Sequence, residues 1–198
     1  MALIEIDNLE VVRGARVICR VPELSIADRQ RVAVLGSNGS GKTTLLRILA
    51  GLERDFDGTC RIEARPRRRV YVHQQPFLFR GTVLFNTMYG IRARGASRRR
   101  AVEIADELLV RLGVGSLRDR AIDRLSGGER RRVALAAAIA VRPRVLLLDE
   151  PFAELDGEGI DTVVSLIRDL DATTVVISAP TSPPASVGAT EHRLDTVR

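Results

Sequence analysis

Residues 36 to 43 read GSNGSGKT, and their types and spacing ask plainly for a chemical role. Glycines at 36, 39 and 41 let the backbone curl so that its amides face one point, and the start of a following helix adds positive dipole there. From that place Lys42 reaches the β- and γ-phosphates of a nucleotide, and the Thr43 hydroxyl is a hard oxygen donor for Mg2+. Gly36, Ser37, Asn38, Gly39, Ser40, Gly41, Lys42, Thr43 and Thr44 form the candidate phosphate-binding set. A plain glycine turn would need neither the lysine nor the threonine.

Two further stretches carry chemistry. VLLLDE ends in Asp149 and Glu150, so a buried strand delivers two carboxylates at its carboxyl end, where open α/β sheets bind ligands. Asp149 would complete the Mg2+ shell, and Glu150, one residue on, can polarise a water for attack on the γ-phosphate. LSGGE, residues 125 to 129, opens a helix with a serine and two glycines and makes a second anion-binding helix start. One nucleotide cannot easily use both helix starts within a monomer if they lie on different lobes.

The elements that must position these residues follow from hydrophobic spacing. ALIEIDNLEVV alternates as a half-buried strand, RVAVLG is a continuous apolar run, and KTTLLRILAGL has helical spacing that stops at a glycine. GTCRIEA and RRVYVHQ are strand candidates. ASRRRAVEIADELLVRLGV is a helix closed by Gly113 and Gly115, and GGERRRVALAAAIAV is another, ended by Pro143. RVLLLDE fits the centre of a parallel sheet, GIDTVVSLIRDL a helix and TTVVIS a second buried strand. The order implies a single α/β domain over 1–198 with a helical subdomain inserted at about 77–142.

Composition narrows the class. The 198 residues are 45% hydrophobic with no Trp, so aliphatic side chains fill the core. The formal charge of +6 is carried by Arg, in RPRRR, SRRR and ERRR runs that read first as solvated surface. With little aromatic interleaving for base stacking, the runs point to no nucleic-acid partner. Two cysteines make no disulfide framework, no signal peptide is evident, and no apolar stretch approaches the ~20 residues of a membrane helix. A reducing cytosol and a separate membrane partner are the expectation.

GSNGSGKT, HQQP, LSGGE, VLLLDE and ELD, in this order over most of the chain, resemble the ATP-binding subunit of an ABC transporter. The resemblance implies a P-loop NTPase with a mainly parallel core sheet, an N-terminal antiparallel β part and an inserted helical subdomain. It implies ATP and Mg2+, and a homodimer or heterodimer across ATP. In that dimer Ser126, Gly127 and Gly128 of one subunit close over the γ-phosphate held by Gly39, Gly41, Lys42 and Thr43 of the other. Gln74 matches the family's glutamine between lobes, a Mg2+ and partner sensor, and Asp156 matches the aspartate that crosses the dimer interface. Lys42, Gln74 and Glu150 become the catalytic set, and Thr43, Gln74 and Asp149 the metal set.

Two departures from the family pattern stand out. EVVRGARV offers no aromatic ring to stack on adenine, and Arg13 stands about where it would be; a guanidinium plane can stack on a base. After the last core strand, alignment of TVVISAP places Pro180 where the family's γ-phosphate histidine belongs, with His73 and His192 elsewhere. Hydrolysis slowed by the 10²–10³-fold typical of one lost transition-state donor is the expectation.

The family also implies that the Phe77 to Gly90 stretch receives an integral membrane permease, with a solute-binding protein in the whole complex and the chain peripheral on the inner face of the cell membrane. VHQQPFLFRGTVLFNTMYGIRARG is locally similar to ATPases of oxyanion importers, such as those for tungstate or phosphate. With a short carboxyl end from Thr181, no regulatory domain after the core is expected. The competing readings are a soluble ABC ATPase and a degenerate ATP-binding module.

Overall fold

The computed structural model of the chain describes residues 2–194. Strands β1 (Ala2–Arg13) and β2 (Arg16–Ala27) form an antiparallel hairpin turned by Gly14, whose φ of +60° is one that glycine adopts readily. β3 (Arg31–Leu35) leads through the phosphate loop into α1 (Lys42–Ala50), and β4 (Asp57–Ile62) returns to pair with β1. β5 (Arg69–Val72) precedes three helices, α2 (Val83–Ala93), α3 (Arg98–Arg111) and α4 (Gly127–Ala140). Then come β6 (Val145–Asp149), α5 (Gly157–Arg168), β7 (Thr174–Ala179) and β8 (Thr190–Arg193).

The strands make two sheets. The antiparallel one has the order β2-β1-β4, and the other, β5-β6-β7-β3-β8, is parallel throughout. Its central strands β6 and β7 are buried at every position, which is why their sequences are unbroken apolar runs rather than alternating ones. Alternation reappears in where the side chains go. Leu146, Leu148, Val175 and Ile177 join the core under α2 to α5, while Val145, Leu147 and Val176 pack on the opposite face with α1 and the antiparallel sheet.

Helix ends are set by local chemistry. Gly51 closes α1 at φ +78°, with its N–H on Ile48 O and that of Leu52 on Arg47 O. Ser126 and Glu129 form a capping box at the start of α4, and Pro143 lies just beyond its end. Thr82 caps α2, its Oγ1 accepting from Phe85 N.

The structure adds three elements to the sequence pattern. The stretch 77–90, read as apolar residues with a turn, contains most of a helix, α2. β2 over 16–27 has the partner β1 that its own pattern does not announce. β8 pairs with β3 in a segment read only as small residues; the last four positions of that segment lie outside the described residues. One reading is corrected. The ERRR run is not a solvated face, because Arg131 is 3% exposed and Arg130 and Arg132 are only partly exposed. α4 is packed between α2 and α3 and the sheet, so its arginines cannot all reach water.

Leu146 is fully buried in the central strand. Leu146→Ala is expected to cost about 2–5 kcal/mol of unfolding free energy, checked by urea denaturation followed by circular dichroism.

Candidate functional site

The phosphate loop runs from the end of β3 to α1, and sterics explain its glycines. A Cβ at Gly41 (φ +91°) would sit 2.6 Å from Ile18 O and 2.7 Å from Cys19 Cβ on β2, and one at Gly36 would run into Ser40 Oγ. At Gly39 (φ +83°) nothing lies within 4 Å, so this residue borders open space. Lys42 is 6% exposed, and its Nζ donates to Gly36 O (2.6 Å) and Ser37 O (3.0 Å). Ser40 Oγ is buried without a partner among the described residues. The ammonium bonded among the described residues to loop carbonyls, the hydroxyl orphaned among them and the helix start together fit a phosphate chain.

Asp149 lies 3% exposed at the end of β6 and is held by three hydroxyls from three elements. Thr43 Oγ1 donates to its Oδ1 at 3.2 Å, Ser178 Oγ donates to the same oxygen, and Tyr71 Oη donates to Oδ2 at 2.9 Å. Burial, then the charge and hydrogen bond of Asp149, push the Tyr71 phenol well above its ordinary value, so it stays a donor. A hydroxyl and a carboxylate at hydrogen-bond distance are the hard oxygen pair that Mg2+ accepts alongside phosphate oxygens and water. Among the described residues no group of three His, Cys, Asp or Glu could cage a metal, and Mg2+ bound with phosphates requires none.

Glu150 is the next residue and turns sharply out of the strand at φ +48°. Its N–H is fixed by Ser178 O and Ser178 Oγ, both at 3.1 Å. Gln74 Nε2 donates to Glu150 Oε2 at 2.8 Å. Thus residues distant in sequence meet in pairs: Thr43 with Asp149, and Gln74 with Glu150.

At the start of α4, Ser126 Oγ accepts from Glu129 N (3.2 Å) and Ser126 N donates to Glu129 Oε2 (2.7 Å). The backbone bond from Ser126 leads the causes that hold the Glu129 carboxyl below its ordinary value. The segment after β6 lies directly on Gly127 and Gly128. A Cβ at Gly127 would be 2.6 Å from Glu154 Oε2, and one at Gly128 would be 3.2 Å from Glu154 O. Asp156 Oδ1 accepts from Gly159 N at 2.8 Å and caps α5.

Arg13 is tied down. Its guanidinium meets Asp55 Oδ2 at 2.8 Å and Glu53 Oε1 at 3.1 Å. The end of β7 forms a pocket of about 230 Å3 that includes Glu150, Ser178, Ala179, Pro180 and Thr181 and no histidine. Pro180 is exposed there, whereas Ala179 packs on Ala33 and Leu35. His73 Nδ1 accepts from Gln75 N at 3.0 Å, and His192 is on the edge strand β8, where burial lowers its pKa. Sequence reasoning missed Tyr71, Ser178 and Arg131. The first two were legible only through strand register, since Ser178 stands opposite Asp149 and β5 flanks β6.

Residues 19–153 match the family described as ABC transporter. The chain is 35% identical over 171 residues to the tungstate uptake system ATP-binding protein TupC of Peptoclostridium acidaminophilum, covering 84% of this chain and 80% of that one. It is 42% identical over 171 residues to the sulfate/thiosulfate import ATP-binding protein CysA of Yersinia pseudotuberculosis, covering 78% of this chain and 46% of the other. Among solved structures, cbiO1 of Clostridium perfringens, part of the ABC transporter complex cbiONQ, superposes with a TM-score of 0.77 at 25% identity, over 91% of this chain and 79% of that one.

Gly41→Ala is expected to weaken ATP binding by about tenfold or more, equal to about 1.4 kcal/mol per factor of ten, because the loop must leave β2 to admit a methyl group. Titration calorimetry with ATP, set beside thermal unfolding of the same variant, measures the effect.

Proposed function

The chain belongs to the family of ABC transporter ATP-binding subunits, which are ATPases, and on that premise we propose that it powers solute import through a separate membrane permease. The observation that carries the reading is the meeting of Lys42, Thr43, Asp149, Glu150 and Gln74 around one end of the parallel sheet. Gly36, Ser37, Asn38, Gly39, Ser40, Gly41 and Thr44 would complete the phosphate cradle with their backbone and hydroxyl groups. Thr43, Asp149 and Gln74 would hold Mg2+, which neutralises charge on the β- and γ-phosphate oxygens.

Glu150 is the general base. Gln74 occupies Oε2, leaving Oε1 to accept the proton of a water aimed at the γ-phosphorus. The new P–O bond forms in line with the bond to the leaving ADP oxygen, and Lys42 stabilises the charge that collects there. Arg13, anchored by Glu53 and Asp55, presents a guanidinium plane for the adenine.

Dimerisation follows from the second helix start. Ser126, Gly127 and Gly128 would close over a γ-phosphate held by another subunit, homologous or identical, with Asp156 near the shared interface. The segment 77–142, read as a helical subdomain, would carry that helix start, and Phe77 (99% exposed), Phe79, Phe85 and Tyr89 would seat the permease. Among the described residues no helix is long and apolar enough to cross a membrane. As in subunits that work with a separate permease, the chain would sit on the cytoplasmic face as a peripheral subunit. A solute-binding protein would belong to the whole complex, and oxyanions such as tungstate or sulfate are the substrate class favoured by TupC and CysA.

Similarity to importer subunits gives no support to a soluble ATPase or to a degenerate nucleotide-binding module. A slow turnover is supported by the pocket at the end of β7, where Ala179, Pro180 and Thr181 offer Glu150 no cationic neighbour. ATPase rate is expected to rise with protein concentration, to fall by about 10² or more in Glu150→Gln, and to vanish in Lys42→Ala. Histidine placed at 180 is expected to raise it, and histidine at 179, a packed position, is not. A wild-type rate independent of concentration would overturn the dimer.

A further inference from the structure

Arg131 is a cation in the wrong place for stability. It is the fifth residue of α4 and 3% exposed, yet its Nε and Nη1 meet no acceptor among the described residues. Buried donors left unpaired destabilise a fold, and a buried charge with an incomplete partner does so further. Among the described residues its polar contacts are two. Nη2 donates to Gln74 O at 2.7 Å, and the nearest carboxylate, Glu154 Oε2, is 3.8 Å away. Glu154 is the exposed partner, its side chain at 67%, so water would satisfy that carboxylate if the guanidinium were absent, while the bond to Gln74 O is partly buried.

What these contacts join is the more informative part. Gln74, whose backbone oxygen Arg131 holds, places its side-chain amide on Glu150 Oε2 at 2.8 Å. Glu154, beside Arg131, also lies against Gly127 at the start of the same helix. A side chain from the first turns of α4 therefore fixes the backbone that aims the amide that orients the base. Glu154 stands at φ +59° and Glu150 at φ +48°, so the segment linking them is held in an uncommon backbone state at both ends.

We propose that Arg131 is a positioning residue for hydrolysis, fixing Gln74 so that its amide orients the Glu150 carboxylate, and so ties the setting of the base to the placement of the α4 start. The inference rests on the reading of Glu150 as general base. A base held at one oxygen by Gln74 keeps the other aimed at water; with residue 74 released, the carboxylate turns freely and the productive geometry is lost. The same link runs in the opposite direction. When the α4 start shifts to meet a phosphate, Arg131 carries that shift to Gln74, in contact with Glu154 on the way.

The test uses Arg131→Met and Arg131→Lys in the full chain, each with and without Gln74→Ala. Methionine keeps length and apolar packing while removing the orphaned donors. Urea unfolding midpoints, KM for ATP and turnover at saturating ATP are measured together. The expected result is an unfolding midpoint unchanged or raised in Arg131→Met, KM within about twofold, and turnover lower by about ten- to a hundredfold. Arg131→Lys, which retains a cation able to reach Gln74 O, recovers part of the rate. In the Gln74→Ala background, Arg131→Met produces no further loss, because the two act in one chain of contacts.

Turnover unchanged in Arg131→Met overturns the proposal, as does a midpoint that falls in step with the rate or a loss that multiplies with that of Gln74→Ala. A wild-type chain that binds ATP and shows no turnover at any concentration overturns the reading of Glu150 itself, and the role of Arg131 with it.

Discussion

The site depends on one buried carboxylate. Asp149 is reached by hydroxyls from α1 (Thr43), β5 (Tyr71) and β7 (Ser178), three elements separated by up to more than a hundred positions in the chain. A buried charge of this kind is tolerable only when each oxygen is paired, and here both are. The parallel sheet makes this possible, because β5, β6 and β7 lie side by side and end together, putting residues 71, 149 and 178 within reach. Where the loop after β3, Glu150 and the Gln74 segment sit follows from that alignment.

From Asp149 the chain cannot continue straight. Glu150 adopts a positive φ and hangs from Ser178 by its amide, and four residues later Glu154 again takes a positive φ and lies against Gly127 and Gly128 at the start of α4. A Cβ at Gly128 would press on the Glu154 carbonyl at 3.2 Å, whereas one at Gly127 would meet only the flexible, exposed end of the Glu154 side chain, so the tighter packing demand of this segment falls on Gly128. The small residue at 128 thus answers an intrachain packing demand beside the anion-binding role proposed for this helix start.

The sequence made the phosphate loop, the central strands and the capped start of α4 legible because each is a local pattern: a turn needing glycine, an apolar run, a cap three residues from its partner. It hid what depends on neighbours distant in the chain. α2 was obscured because Phe79, Phe85 and Tyr89 gather on an exposed aromatic cluster, so its apolar residues do not mark one buried stripe. Arg131 was hidden because an arginine among arginines reads as surface, and only the packing of α4 against its neighbours shows otherwise. Tyr71 looked like an ordinary strand aromatic until β5 fell beside β6.

The order in which the strands are made differs from the order in which they pair. β3, which carries the phosphate loop at its end, is flanked by β7 and β8, and Leu194 N closes on Leu35 O. Both neighbours emerge from the ribosome roughly 140 or more residues after β3, so this apolar strand waits unpaired through most of synthesis. Non-local pairing of this kind folds late and exposes sticky edges meanwhile. The loop GSNGSGKT consequently reaches its finished place only once β7 and β8 have been made, and a nascent fragment that ends before them carries the loop on an unpaired strand.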